Sequence, residues 1–299
     1  MLVPLDGSRM AEAVLPVVVR FAELASASVV LLHIIERDAP TSIHGDVHLT
    51  DISAAEEYLS RIAENLKGRG LNVETHVHTV PQGDVPRCIA DHSSELDRDL
   101  VVLCRHGAGS VRRFVFGSNA ERVVMHGETP VLLVHAEESD PDHPFGLSSI
   151  VLLLEDSAND TTALDIAAEI ARLSGSRLYI LSVVPTMQSI SAQEASAGRL
   201  FPYTTRHVLD IAAEESMDSV RETVDRMVAC GVRAIGRIER GETASAVVTL
   251  ARSVQADLVV LTTRNLAGLG AFWANDVTRK LAGAYEGVLL LLPRQGGRG

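Results

Sequence analysis

The chain has 299 residues, 46% hydrophobic but only 4% aromatic, with a formal net charge of −12. That acidity argues against a general nucleic-acid surface, which needs clustered Lys and Arg to neutralise phosphates. Three dispersed cysteines (Cys88, Cys104, Cys230) are too few for a disulfide framework or a structural zinc site.

Val, Leu, Ile and Ala must therefore fill the interior, a palette suited to buried parallel strands covered by helices. Short, nearly continuous runs of these residues predict strands near 2–5, 29–34, 73–79, 100–103 and 131–134. Between the first two, Met10, Val14, Val17 and Phe21 fall at four-three-four spacing and predict one amphipathic helix. A polar stretch over 36–53 reads as a long loop of the kind that is often functional. Inside it, His44, Asp46 and His48 share one face if extended, but such residues are common in polar loops and no dedicated metal site is expected. Asp6 and Arg9 break any apolar leader, and no run reaches the roughly 18 apolar residues of a membrane span, so a soluble cytoplasmic chain is expected.

The pattern then repeats. QGDVPRCIADHSSELDRDLVVL from Gln82 aligns without a gap on RGETASAVVTLARSVQADLVVL from Arg240, and LVPLDGS at Leu2 faces VLLLEDS at Val151. Ala163, Ile166, Ile170 and Leu173 predict the second half's first helix. Between the halves EESDPDHPFG, acidic and holding two prolines, reads as a linker. The expected organisation is a first domain over 1–137, a linker over 138–147 and a second domain over 148–299. Each is an α/β, doubly wound, open parallel sheet of five strands.

In such sheets ligands bind beyond the carboxyl ends of the strands, where strand order reverses. Two loops of the first half qualify. In Pro4-Leu5-Asp6-Gly7-Ser8, Asp6 can accept hydrogen bonds from a base or ribose, although a turn that caps the next helix explains the same residues. Cys104-Arg105-His106-Gly107, nine residues, then Gly117-Ser118-Asn119 is more informative. Gly107 allows close backbone approach to an anion, and Gly117-Ser118 opens a helix whose N–H groups attract phosphate. Arg105, His106, Arg112 and Arg113 concentrate positive charge there; cations beside Cys104 would lower its thiol pKa, although a small buried residue is the plainer reading of Cys104.

The LVPLDGS opening, the LLHII strand, the GD-to-DLVVL block and the glycine loop, in this order, resemble the universal stress protein family, taken twice along the chain. Its ATP-binding members carry Gly, two residues, Gly, nine residues and Gly-Ser/Thr. Gly107 and Gly117-Ser118 keep this spacing, and Cys104 stands for the first Gly. The resemblance implies an adenine nucleotide, ATP with or without Mg, held by Pro4, Leu5, Asp6, Ile34, Leu103, Cys104, Arg105, Gly107, Gly117, Ser118 and Asn119. Asp6 would face the adenine, and the glycine loop would cradle ribose and phosphates.

In the second half Glu155 and Asp156 replace Asp6 and Gly7, and Ala274-Asn275-Asp276 replaces the Gly-Ser opening, so this repeat is expected to be a degenerate scaffold. The resemblance further implies an intramolecular pseudo-dimer, or a homodimer, with 131–134 pairing against 288–292. No P-loop, GxGxxG or Gly-x-Ser-x-Gly motif occurs. A regulatory nucleotide-binding protein is the first expectation. A nucleotide-free interaction module and a slow ATPase are the alternatives.

Overall fold

The computed structural model describes residues 1–36, 42–43, 46–47, 49–80, 84–105, 118–136, 144–154, 161–189, 202–263 and 277–293. The chain divides into two compact units, one of residues 1–146, 263–274 and 286–299, the other of residues 147–262 and 275–285. Residues 286–293, which the sequence division assigns to the second repeat, thus pack with the first.

The first unit contains β1 (Leu2–Pro4), α1 (Arg9–Glu12), α2 (Leu15–Ala25), β2 (Val29–Glu36), α3 (Ile52–Gly68), β5 (Val73–Val80), α4 (Val85–Glu95), β6 (Val101–Arg105), α5 (Ser118–His126) and β7 (Val131–His135). Between β2 and α3, within the expected long loop, a two-stranded antiparallel pair forms from β3 (Ser42–Ile43) and β4 (Asp46–Val47). The last strand of the chain, β12 (Val288–Pro293), completes this unit. Strand order is β12-β7-β6-β1-β2-β5. The five strands from β7 to β5 run parallel, and β12 lies antiparallel on β7 with Leu289 opposite Leu133 and Leu291 opposite Val131. The expected pairing of these two strands is present. From β1 the chain winds outward through β2 to β5, then returns through β6 to β7 on the other side. The order therefore reverses between β1 and β6.

Leu2, Val3, Val102, Leu132 and Leu133 are fully buried. Helices cover both faces of these central strands, so the sequence shows continuous apolar runs instead of alternation. The first helix differs from expectation, being two helices separated at Ala13–Val14. Pro16 sits in the first turn of α2 and has no N–H to offer the Glu12 carbonyl, so an uninterrupted helix would lose that bond. The apolar stripe survives the break in Val14, Val17 and Phe21, all buried, while Met10 is half-exposed.

The second unit contains β8 (Ser149–Leu154), α6 (Thr161–Ser174), β9 (Arg177–Val184), α7 (Pro202–Ala229), β10 (Arg233–Arg240), α8 (Thr243–Ser253), β11 (Leu258–Thr263) and α9 (Val277–Ala284). Its strands are parallel in the order β10-β9-β8-β11, the first unit's winding over again. On α6 the buried face is Ala163, Leu164, Ala167 and Ala171, with Ile166 and Ile170 half-exposed and Leu173 exposed. The buried face is thus rotated from the expected stripe onto three alanines and Leu164. α7 packs closely on β10, since a Cβ at Gly236 would meet Val220 Cγ1 at 2.5 Å.

The internal repeat extends to how helices begin. Asp84 caps α4, accepting from the Arg87 N–H at 3.3 Å, and pairs with Arg122 of α5 at 2.9 Å. Glu242 caps α8, accepting from the Ser245 N–H and hydroxyl at 2.8 Å each, and pairs with Lys280 of α9 at 3.0 Å. Burial opposes ionisation of Glu242, but its bonds from Ser245 and the Lys280 ammonium outweigh it and hold the carboxyl below the ordinary 4.5. A depressed folded value stabilises above the unfolded pKa, and that stabilisation is lost as pH falls through the folded one. A Glu242→Gln variant keeps an acceptor for the cap and loses the charge, so at neutral pH it should be destabilised by under about 1 kcal/mol. The gap between its thermal midpoint and the parent's should close well below pH 4.5. A gap that stays constant on acidification would show that the charge contributes nothing.

Candidate functional site

β1 ends where the order of strands reverses, and its exit is pinned on both sides. The Leu5 N–H donates to the Leu32 carbonyl at 2.8 Å, one step past the strand. The Leu5 carbonyl lies 2.7 Å from His33 Nδ1, and Nε2 of that fully buried ring is 3.1 Å from the Leu49 carbonyl just before α3. His33 is thus a structural residue that ties the end of β1 to the start of α3.

The next three residues form a tight turn. Gly7 has φ +92°, in the left-handed region where a Cβ would be strained. Asp6 Oδ1 accepts from the Ser8 N–H at 2.9 Å and from its hydroxyl at 2.6 Å, and Ser8 Oγ accepts from the Ala11 N–H at 3.1 Å to cap α1. The turn-and-cap role read from the sequence is therefore present. A carboxylate offers about four lone-pair sites on two oxygens, so two bonds to Oδ1 leave Asp6 acceptor capacity for a ligand.

On the other side of the switch point, β6 ends in Cys104 and Arg105. Side chains alternate along a strand, and the two residues separate accordingly. Cys104 is half-buried, while Arg105 is 2% exposed and its Nη2 donates to the Gly287 carbonyl at 2.9 Å. Arg105 is thus drawn into the fold of the first unit, against the expectation that its charge serves an anion in the loop. The expected lowering of the Cys104 pKa is also reversed. Burial foremost, then the Asp6 carboxylate, push the thiol up to about 12, with Arg105 opposing only in part. Cys104 is a neutral thiol that shares its electrostatic surroundings with Asp6.

Of the remaining candidates, Pro4 is half-buried, and Leu5, Ile34 and Leu103 are buried at the carboxyl ends of β1, β2 and β6. Ser118 is the first residue of α5 and Asn119 is exposed beside it. A helix leaving a parallel strand starts at that same edge of the sheet, so α5 opens toward the end of β1 that carries Asp6. Gly107 and Gly117 lie outside the described residues, as do His106, Arg112 and Arg113 of the same loop and the loop histidines His44 and His48. The second unit's Glu155, Asp156 and 264–276 also lie outside them.

One residue near the site escaped the sequence reading. Tyr58 of α3 is buried, and burial, then the carboxylates of Glu12 and Asp6, raise its phenol above the ordinary range. Its neighbours on the helix face, Ala55, Leu59, Ile62 and Leu66, mark it as core, and only the docking of α3 reveals the acids beside its hydroxyl. Among the described residues no helix is long and apolar enough to cross a membrane.

The winding order and the buried parallel strands define a tandem α/β protein of the doubly wound class. The model of the universal stress protein family matches residues 1–135 and again 147–284. A Staphylococcus haemolyticus protein named for that family is 32% identical over 146 residues, which cover 47% of this chain and 87% of its own. A universal stress protein from Archaeoglobus fulgidus DSM 4304 superposes over 99% of this chain and 98% of its own, with a TM-score of 0.72 at 17% identity. Another from Archaeoglobus fulgidus, solved in complex with dAMP, covers 44% of this chain and 94% of its own at 26% identity, with a TM-score of 0.34. The chain belongs to the universal stress protein family, with two copies of its domain in tandem.

Proposed function

We propose that the first repeat binds an adenine nucleotide, ATP with or without Mg, as a regulatory ligand in a stress response. The observation that carries this reading is Asp6. Its loop is pinned by Leu5 and Gly7 at the switch point, and it shares its surroundings with the half-buried Cys104 at the end of β6. Ligands of doubly wound sheets sit at this place, with phosphates at a helix N-terminus. Pro4, Leu5, Ile34 and Leu103 supply apolar surface for the base, and Gly107, Gly117, Ser118 and Asn119 supply backbone N–H groups for the phosphates. The repeat over 1–137, joined by 138–147, binds the ligand. The degenerate repeat over 148–299 acts as its structural, pseudo-dimeric partner. Nucleotide binding then shifts a conformational or assembly equilibrium.

A second reading, a nucleotide-free interaction module, is favoured by one feature, the Cys104 side chain where the family pattern has none. The test is the nucleotide released by denaturing freshly purified protein, beside an Asp6→Ala, Gly117→Asp double variant. About one adenine nucleotide per chain in the parent and none in the variant supports the proposal. Two per chain would mean that the second repeat also binds. A parent that is empty and fails to bind Mg-ATP on titration overturns the nucleotide reading and leaves the interaction module. Phosphate or AMP released by the parent and not by the variant would make the protein a slow ATPase.

A further inference from the structure

Three imidazoles converge at the edge of the first unit's sheet. His76 and His78 stand two residues apart on β5, the outermost strand, and so leave the same face. His92 reaches them from α4, and one potential ligand atom from each of the three lies within 4.8 Å of the others. The rings are in contact, with centroids 4.4 Å apart for His78 and His92 and 5.2 Å for His76 and His92. Histidines on a polar edge are ordinarily free to swing into solvent, and two of these three are half-exposed, yet all three gather on one point.

The orientation of His92 is that of a ligand. Its Nδ1 lies 2.9 Å from the Cys88 carbonyl, which can only accept, so Nδ1 carries the proton and Nε2 the lone pair. Metal-binding histidines are typically held in this way by a carbonyl on the second nitrogen. Cys88, Asp91, His92 and Glu95 fall at positions i, i+3, i+4 and i+7 of α4 and so share one face of the helix. With His78 they border an open cleft of about 280 Å³.

We propose that His76, His78 and His92 form a binding site for a divalent transition metal, zinc first, whose fourth position opens into the cleft beside Glu95. Imidazole donors select zinc and its neighbours over magnesium or calcium, which take oxygen. Nitrogens around a tetrahedral zinc, each about 2.0–2.1 Å from the metal, sit roughly 3.4 Å apart. Metal binding would require side-chain rotations of the half-exposed His76 and His78 to close the present separation, at most 4.8 Å, to that value. The inference is independent of the nucleotide reading, because it uses no residue of that cleft.

The full-length protein, stripped with a chelator, is titrated with Zn²⁺ by calorimetry and with Co²⁺ by visible absorption. The expected result is one saturable site per chain with the absorption of a tetrahedral cobalt centre. His78→Gln should weaken zinc binding at least about tenfold, and His76→Gln with His78→Gln at least about a hundredfold. Circular dichroism would check that both variants remain folded. A parent without a saturable site overturns the proposal. Variants that bind with the parent's affinity overturn it equally, and would move the metal to other residues such as His44 and His48.

Discussion

Removal of residues 287–299 is expected to unfold the first unit or to drive it into pairing with a second copy. Val288, Leu289, Leu290, Leu291 and Leu292 are each 4% exposed or less. At about 1.5–3 kcal/mol for each buried aliphatic side chain, β12 contributes roughly 8–15 kcal/mol, as an upper bound. That is comparable to the whole stability of an ordinary domain, about 5–15 kcal/mol. The deletion also takes the Gly287 carbonyl from the buried Arg105 and opens β7, whose Val-Leu-Leu-Val run would become an apolar edge. Light scattering on a sizing column and a thermal melt decide the outcome. A shortened chain that keeps the parent's assembly size and melts with the parent would show that β12 is dispensable to the first unit.

The second large effect separates the two roles of Asp6. Asp6→Asn keeps a side-chain oxygen to accept from the Ser8 N–H and hydroxyl, so the turn and the cap of α1 survive and the melting temperature should barely move. If Asp6 also receives a hydrogen bond from the adenine, the loss of its charge removes about 1.5–3 kcal/mol of binding, a roughly ten- to hundredfold weaker nucleotide. Equilibrium titration with Mg-ATP reads the affinity, and calorimetric melting reads the stability. Unchanged affinity with unchanged stability would reduce Asp6 to a capping residue.

Much of the fold was legible because its strands are buried on both faces. Runs such as VVLLHII and DLVVL have one reading in a chain of this composition, and their recurrence set the two repeats. Asp84 and Glu242 align in the sequence and cap equivalent helices in the structure. The helix after β1 was misread because the apolar spacing runs through Pro16, and the spacing does not register that proline lacks an N–H. On α6 the spacing singled out isoleucines, whereas the buried face is made by three alanines and Leu164.

The candidate site divides in the same way. The residues of the sequence determined that Asp6, Gly7 and Ser8 make a turn at a strand end, since only local backbone geometry and short-range hydrogen bonds are involved. Neither the charge environment of Cys104 nor the fate of Arg105 could be read there. Adjacency suggested a cation acting on a thiol, but strand alternation sends the two side chains to opposite faces, and burial then dominates both. Tyr58 beside Glu12 and Asp6, and His92 beside His76 and His78, meet only because helices dock on particular strands. The sequence by itself determined the parallel strands, their repetition and the family. The tertiary structure alone decided which titratable groups share a low-dielectric neighbourhood, because such contacts depend on packing between segments far apart in the chain, to which local patterns are blind.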